Sequence, residues 1–129
     1  MHKLKLLKIT LVVGACFYLT GAVVHFFGLT LFPFYDAKLY SPYHDSVIAL
    51  ACVFLAMLLI TIARDPVKNR DTLKVVVLGA AFAAIFSVAI IWKVDFEALG
   101  AAAKKAQTLV EAGLSFVFVF ILIFCYPKK

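Results

Sequence analysis

The stretch "LKVVVLGAAFAAIFSVAIIW", Leu73–Trp92, runs for twenty residues with one charge, Lys74, near its start. Wound as a helix rising about 1.5 Å per residue, it is about 30 Å long, the thickness of a bilayer's hydrocarbon core. Three further stretches read the same way: about Ile9–Phe32, Ser46–Ala63 and Thr108–Tyr126. The whole chain agrees with them. Of its 129 residues 65% are hydrophobic and only 16% charged, with a mean hydropathy of +1.05. Soluble domains average about 45–50% apolar and about 25% charged residues, so the solvent for this chain is lipid. Four spans nearly exhaust the length. The expected fold is an all-α, integral-membrane four-helix bundle forming one domain over residues 1–129.

The ends of the spans follow from local chemistry. Pro33 is expected to end the first span, because proline disfavours helical geometry in the residue before it. Asp45 is expected to cap the second, its carboxylate accepting from free backbone N–H groups. "RDPVKNRDT" is the turn that follows, with Asp71 or Thr72 capping span three. Between spans three and four, "KVDFEALGAAAKKAQ" reads as a short amphipathic helix or a slanted extension of span four. The opening "KLKLLKITLVVGAC" has the basic start and small residues of a lipoprotein signal. Its apolar run continues well past Cys16, which makes it the first membrane helix instead.

The net charge of +6 does not point to nucleic acid, because the lysines and arginines flank apolar segments and form no separate basic face. Their distribution sets an orientation. Lys3, Lys5, Lys8, Arg64, Lys68, Arg70, Lys74, Lys128 and Lys129 are nine on one side; Lys38, Lys93, Lys104 and Lys105 are four on the other. The positive-inside rule then puts both termini in the cytoplasm. In a bacterial host the membrane is the inner one and the opposite side is the periplasm. Tyr35, Tyr40, Tyr43 and Trp92 fall at expected outer ends and Tyr126 at an inner end, as an interfacial aromatic belt requires. The basic loop "ARDPVKNRDTLK" reads as that orientation signal together with contact to anionic lipid heads.

Helices in lipid associate where small residues let backbones approach. Gly14, Gly21 and Gly28 recur every seven residues, with Tyr18 and His25 between them, so all five share one face of span one. Ala80, Ala83, Ala84 and Ser87 form a similar stripe on span three. Spans one and three are expected to use these faces for close contacts, although the glycine seam could instead serve a partner protein. Cys16, Cys52 and Cys125 lie in three apolar runs, without a CxxC pair or a zinc spacing. They are expected to behave as small buried hydrophobes, and no metal site is expected.

No charge lies in the middle of any span, which argues against a pump, a channel or a proton-coupled exporter. The remaining polar groups gather toward the outer face. His25 lies about two turns inside the end of span one, and His44 and Asp45 open span two. Glu111 sits near the start of span four, sharing a face with Gln107 and Thr108. His25, His44, Asp45 and Glu111 would together form a polar site built from three spans, suited to a quinone head group, a haem or a metal. Each also has a bland reading, as an interhelical hydrogen bond, a cap or an interfacial side chain. There is no phosphate-binding glycine loop and no nucleophile–base pair.

The basic N-terminus, glycine-bearing first span, Pro-aromatic outer loop and "ARDPVKNRDTL" turn together resemble, in outline, the small four-helix bacterial membrane proteins grouped as DoxX-like. The resemblance covers most of the chain as hydropathy and turn placement, and no site residue is carried over from it. It implies a bacterial inner-membrane accessory protein, next to quinone chemistry in some members. The leading expectation is a non-catalytic accessory or structural subunit, packed against other membrane subunits or a second copy of itself. The alternative is a quinone- or haem-binding redox subunit using the outer polar cluster. A transporter of a neutral or apolar solute ranks below both.

Overall fold

The computed structural model describes residues 2–31 and 35–127. It is all-helical. Four long helices follow one another: α1 (His2–Phe27), α2 (Pro42–Arg64), α3 (Arg70–Lys93) and α4 (Ala102–Phe124). Each is long and apolar enough to cross a bilayer. This is an integral membrane protein by the length and composition of its helices.

The helix ends differ from the expected ones in instructive ways. α1 starts at His2 and stops at Phe27, five residues before the expected end. Gly28 stops it by adopting φ +62°. The N–H of Leu29 donates to the carbonyl of Val24 at 3.0 Å, and that of Gly28 reaches His25 at 3.4 Å. This is a Schellman closure, which favours glycine because a Cβ is strained at that φ. Gly28 is therefore a helix terminator, and the ring that lies against it belongs to Tyr40 of the α1–α2 connection. The expected stop at Pro33 lies outside the described residues. α2 begins at Pro42, whose missing N–H costs nothing in the first turn of a helix. Ser41 is the residue at the cap, and Asp45 sits one turn inside the helix. α3 begins at Arg70 behind Asn69, not at Asp71 or Thr72. Asn69 Nδ2 donates to the Asp65 carbonyl at 2.9 Å, and Asp65 Oδ1 accepts from the N–H of Lys68, which makes the turn tight. α4 takes in the "AKKAQ" segment as an N-terminal extension. Before it, Asp95–Ala101 makes a single turn, its Gly100 at φ +66°.

The chain folds as two hairpins. α1 packs along α2 and α3 along α4, while α1–α4 and α2–α3 contacts are sparse. Both termini and the α2–α3 turn share one end, here the terminal end. Tyr126 OH donates to the Arg70 carbonyl at 3.0 Å there, Lys8 Nζ donates to the Arg64 carbonyl, and Lys3 Nζ sits 3.9 Å over the Phe124 ring. The apolar core fills this half. Leu7, Leu11 and Ala15 of α1 meet Ala56, Leu59 and Ile62 of α2, with Leu73 of α3 and Leu122 of α4. Many other large apolar side chains point outward, as a lipid-facing surface requires.

The small-residue faces do not bring spans one and three together: among the described residues the backbones of α1 and α3 do not approach closely. Gly14 instead lies under Phe118 of α4 and Leu59 of α2, where an added Cβ would come within 3.0 and 3.1 Å of them. Gly21 faces Cys52 of α2. On α3, Ala84 is buried, Ala80 and Ser87 are half-buried, and Ala83 faces outward. α3 leans on α4 because the short turn at residues 94–101 makes those two helices neighbours. Of the three free thiols only Cys125 is in the core; Cys52 is half-buried and Cys16 is exposed, a correction to the expectation that all three are buried.

Candidate functional site

At the other end, the loop end, polar side chains replace the apolar core. The α1–α2 connection folds back over the end of α1. Leu31 and Tyr35 exchange backbone hydrogen bonds of 3.0 and 2.8 Å. Asp36 then opens a short 3-10 turn, Ala37–Leu39, accepting from the N–H of Lys38. Tyr40 lays its ring against Gly28 and donates its hydroxyl proton to the Phe26 carbonyl at 3.3 Å. This backfolding carries Tyr35 inward, to 6% exposure.

Asp45 is the centre of the cluster and is itself buried, 4% exposed. Its Oδ1 lies 2.6 Å from Nδ1 of His25 and accepts from the Tyr35 hydroxyl at 2.9 Å. Its Oδ2 accepts from the backbone N–H of Ser41 at 2.6 Å. That last bond is cap-like, with an acid inside the first turn reaching back to the N–H of the cap residue. Three groups thus converge on one carboxylate, which offsets the cost of burying it. The imidazole and phenol rings of His25 and Tyr35 also touch, their centroids 4.4 Å apart.

The arrangement fixes the imidazole. An ionised carboxylate only accepts, so Nδ1 of His25 carries the proton toward Asp45. In the neutral ring the lone pair is then on Nε2, which has no hydrogen-bond partner among the described residues. A carboxylate-oriented imidazole with a free Nε2 can accept a hydrogen bond, take a proton or ligate a metal. Tyr35 responds to the same anion. Burial first, then its hydrogen bond to Asp45, pushes its phenol well above the ordinary tyrosine range.

α4 supplies the facing wall. Lys104 Nζ donates to Glu111 Oε1 at 3.3 Å, two helical turns apart. Gln107 lies between them, 3% exposed, and its carboxamide oxygen has no hydrogen-bond partner among the described residues. A buried unpaired carbonyl of this kind costs about 1–3 kcal/mol.

Of the four residues expected to form the site, the structure joins His25 and Asp45 directly, while Glu111 pairs with Lys104 on α4. His44 is not part of the cluster. Adjacent helical residues point about 100° apart, so with Asp45 inward His44 is exposed, pairing with Ser41 Oγ at 2.9 Å. Tyr35 joins the cluster instead, and Lys104 is the partner of Glu111. The position of Tyr35 depends on loop backfolding, which leaves no mark in the sequence. The Lys104–Glu111 pair is visible there as a seven-residue spacing on one helix face. No three His, Cys, Asp or Glu side chains among the described residues are grouped to hold a metal ion.

The class defined by these observations is a small four-helix integral membrane protein with an apolar core at one end and an Asp–His–Tyr cluster at the other. No protein-family model, curated protein or solved structure matches the chain.

Proposed function

We infer that the protein is a small accessory subunit that packs within a larger membrane complex, and that α3 is its docking helix. The observation that carries this reading is the outward face of α3. Only 6% of its most apolar stretch is buried within the chain, against 28% for each other helix. On that open face Gly79 and Ala83 are four residues apart, followed by Phe86 and Ile90 on the same side. Among the described residues, nothing beyond its chain neighbours and its own helix's backbone lies within 4 Å of where a Gly79 Cβ would be. A small-xxx-small pair lets a second helix come close to the backbone, and flanking Phe and Ile side chains then interlock with it. Lipid tails make no such demand for small residues.

The charge distribution supports cytoplasmic termini, since the terminal end carries Lys3, Lys5, Lys8, Arg64, Lys68, Arg70 and Lys74. The loop end, with its Asp–His–Tyr cluster, then faces outward.

The test is gentle extraction from the native membrane, followed by mass measurement and identification of what travels with the chain. A defined complex of larger subunits that Gly79→Leu disperses, while the chain itself stays in the membrane, supports the reading. A chain that extracts alone, or a complex indifferent to Gly79→Leu, refutes it.

A further inference from the structure

We propose that the seam between α1 and α4 at the loop end binds a primary ammonium group, hydrogen-bonded by Nε2 of His25, the carboxamide oxygen of Gln107 and the free carboxylate oxygen of Glu111. The proposal is independent of what docks on α3.

Helix register places these groups at matching levels of α1 and α4. Phe118 of α4 lies over Gly14 of α1, where an added Cβ would come within 3.0 Å of its ring. The two helices run antiparallel. Eleven residues from that contact toward the loop end, α1 reaches His25 and α4 reaches Gln107. Eleven residues turn a helix through about three full turns, so both side chains return to the contact face, about 16 Å from it. Seven residues from the contact, α1 has Gly21 and α4 has Glu111. Gly21 has no side chain to oppose Glu111, and its would-be Cβ lies 3.7 Å from Cys52 Sγ of α2, with no α4 atom of the described residues within 4 Å.

The chemistry on the two walls is one-sided. Among the described residues, Nε2 of His25 has no donor, its Nδ1 being committed to Asp45. The Gln107 oxygen is buried and unpaired. Glu111 accepts from Lys104 through Oε1, and its Oε2 has no donor among the described residues. Three acceptors therefore wait for three donors. With the imidazole neutral, Asp45, Glu111 and Lys104 sum to one negative charge. A primary ammonium has three N–H donors and one positive charge, which matches both counts. His25 and Glu111 keep 22% and 29% side-chain exposure, so the seam can be entered. The ammonium could arrive on a lipid head group or on a free amine from the outer solution, and the chemistry is shared.

The discriminating probes are ethanolamine and choline, which carry the same charge although choline has no N–H. The full chain is placed in nanodiscs of phosphatidylcholine and titrated with each, its thermal unfolding being followed. In parallel, nanodiscs of mixed phosphatidylethanolamine and phosphatidylcholine are analysed by native mass spectrometry for retained lipid. The expected result is at least a tenfold preference for the N–H-bearing partner in one of the two arms. A response to free ethanolamine assigns a soluble amine; retained phosphatidylethanolamine without that response assigns a lipid. Gln107→Leu, which removes an unpaired buried carbonyl and so should fold, and Glu111→Gln should each reduce the preference about tenfold. Equal behaviour of ethanolamine and choline together with equal retention of the two lipids overturns the proposal. So does a preference that neither variant changes.

Discussion

Nδ1 of His25 lies 2.6 Å from Oδ1 of Asp45, which ties the last turn of α1 to the first turn of α2 across twenty residues of sequence. The Tyr35 hydroxyl shares the same oxygen, so the intervening loop is anchored at the same point. Asp45→Ala would leave an imidazole, a phenol and the Ser41 N–H without their acceptor. A buried donor left without its acceptor costs about 1–3 kcal/mol. The upper figure is expected here, because three donors lose one carboxylate. Denaturant titration in detergent should show Asp45→Ala about 3 kcal/mol less stable and Tyr35→Phe about 1 kcal/mol less stable. Equal stability of Asp45→Ala and the parent would mean that the carboxylate is not the anchor.

Tyr35 gives the cluster a signature at high pH. Its phenol is raised by burial and by its bond to Asp45, so the folded chain holds it neutral after exposed tyrosines have ionised. A folded pKa above the unfolded value of about 10 contributes stability that is complete below pH 10. That stability is lost as the pH rises through the folded pKa. Tyrosinate absorbance of the folded protein should therefore be nearly the same for the parent and Tyr35→Phe just above pH 10, with the difference appearing only on unfolding. A Tyr35 that ionises in the folded chain near pH 10 would contradict the geometry.

Gly28 is a position where backbone conformation decides the outcome. Its φ of +62° closes α1, and a Cβ there would come within 3.0 Å of the Tyr40 ring. Left-handed geometry costs a non-glycine residue about 1–2 kcal/mol. Gly28→Ala should lose at least that much, and Tyr40→Ala in the same chain should recover only the steric part. Full recovery would mean that the backbone is not strained.

The four helices were legible because lipid demands about twenty apolar residues in a row, and nothing in a soluble fold imitates that signal. Their ends were less legible. The first helix reaches back through "HKLKLLK" because Leu4, Leu6 and Leu7 continue the apolar pattern between the lysines, and Leu7 enters the core. Gly28 read as a packing glycine because its seven-residue spacing fits the seam, yet its backbone serves a different need. Asp45 and His25 were visible as polar residues near span ends. Their pairing was not, since it depends on how α1 and α2 close a hairpin. His44 misled because adjacency in sequence places it about 100° from Asp45 on the helix.

Topology can be checked with single cysteines, after the three native thiols are replaced. Lys68→Cys lies on the exposed α2–α3 turn and Leu99→Cys on the exposed α3–α4 turn, at opposite ends of the bundle. With cytoplasmic termini, a membrane-impermeant maleimide applied to intact cells should label position 99 and spare position 68. Lysis should then expose position 68. The reverse pattern would invert the orientation and put the His25–Asp45 cluster on the cytoplasmic side.

The contact between hairpins turns on Gly14. An added methyl would meet Phe118 Cε2 at 3.0 Å and Leu59 Cδ1 at 3.1 Å, while at Gly79 it would meet nothing outside its own helix within 4 Å among the described residues. The same substitution should therefore have opposite signs at the two sites. Overpacking costs about 1–3 kcal/mol, so Gly14→Ala should lose about 1 kcal/mol, near the low end because the ring edge can shift. Gly79→Ala in the isolated chain should be neutral or gain up to about 1 kcal/mol, as alanine is the better helix former. Phe118→Leu removes the obstructing ring edge, so adding Gly14→Ala to it should cost less than adding it to the parent. The cycle should report a favourable coupling of about 1 kcal/mol between positions 14 and 118. Strict additivity would mean that α1 and α4 do not pack through this pair, and the register that sets His25 level with Gln107 would fall with it.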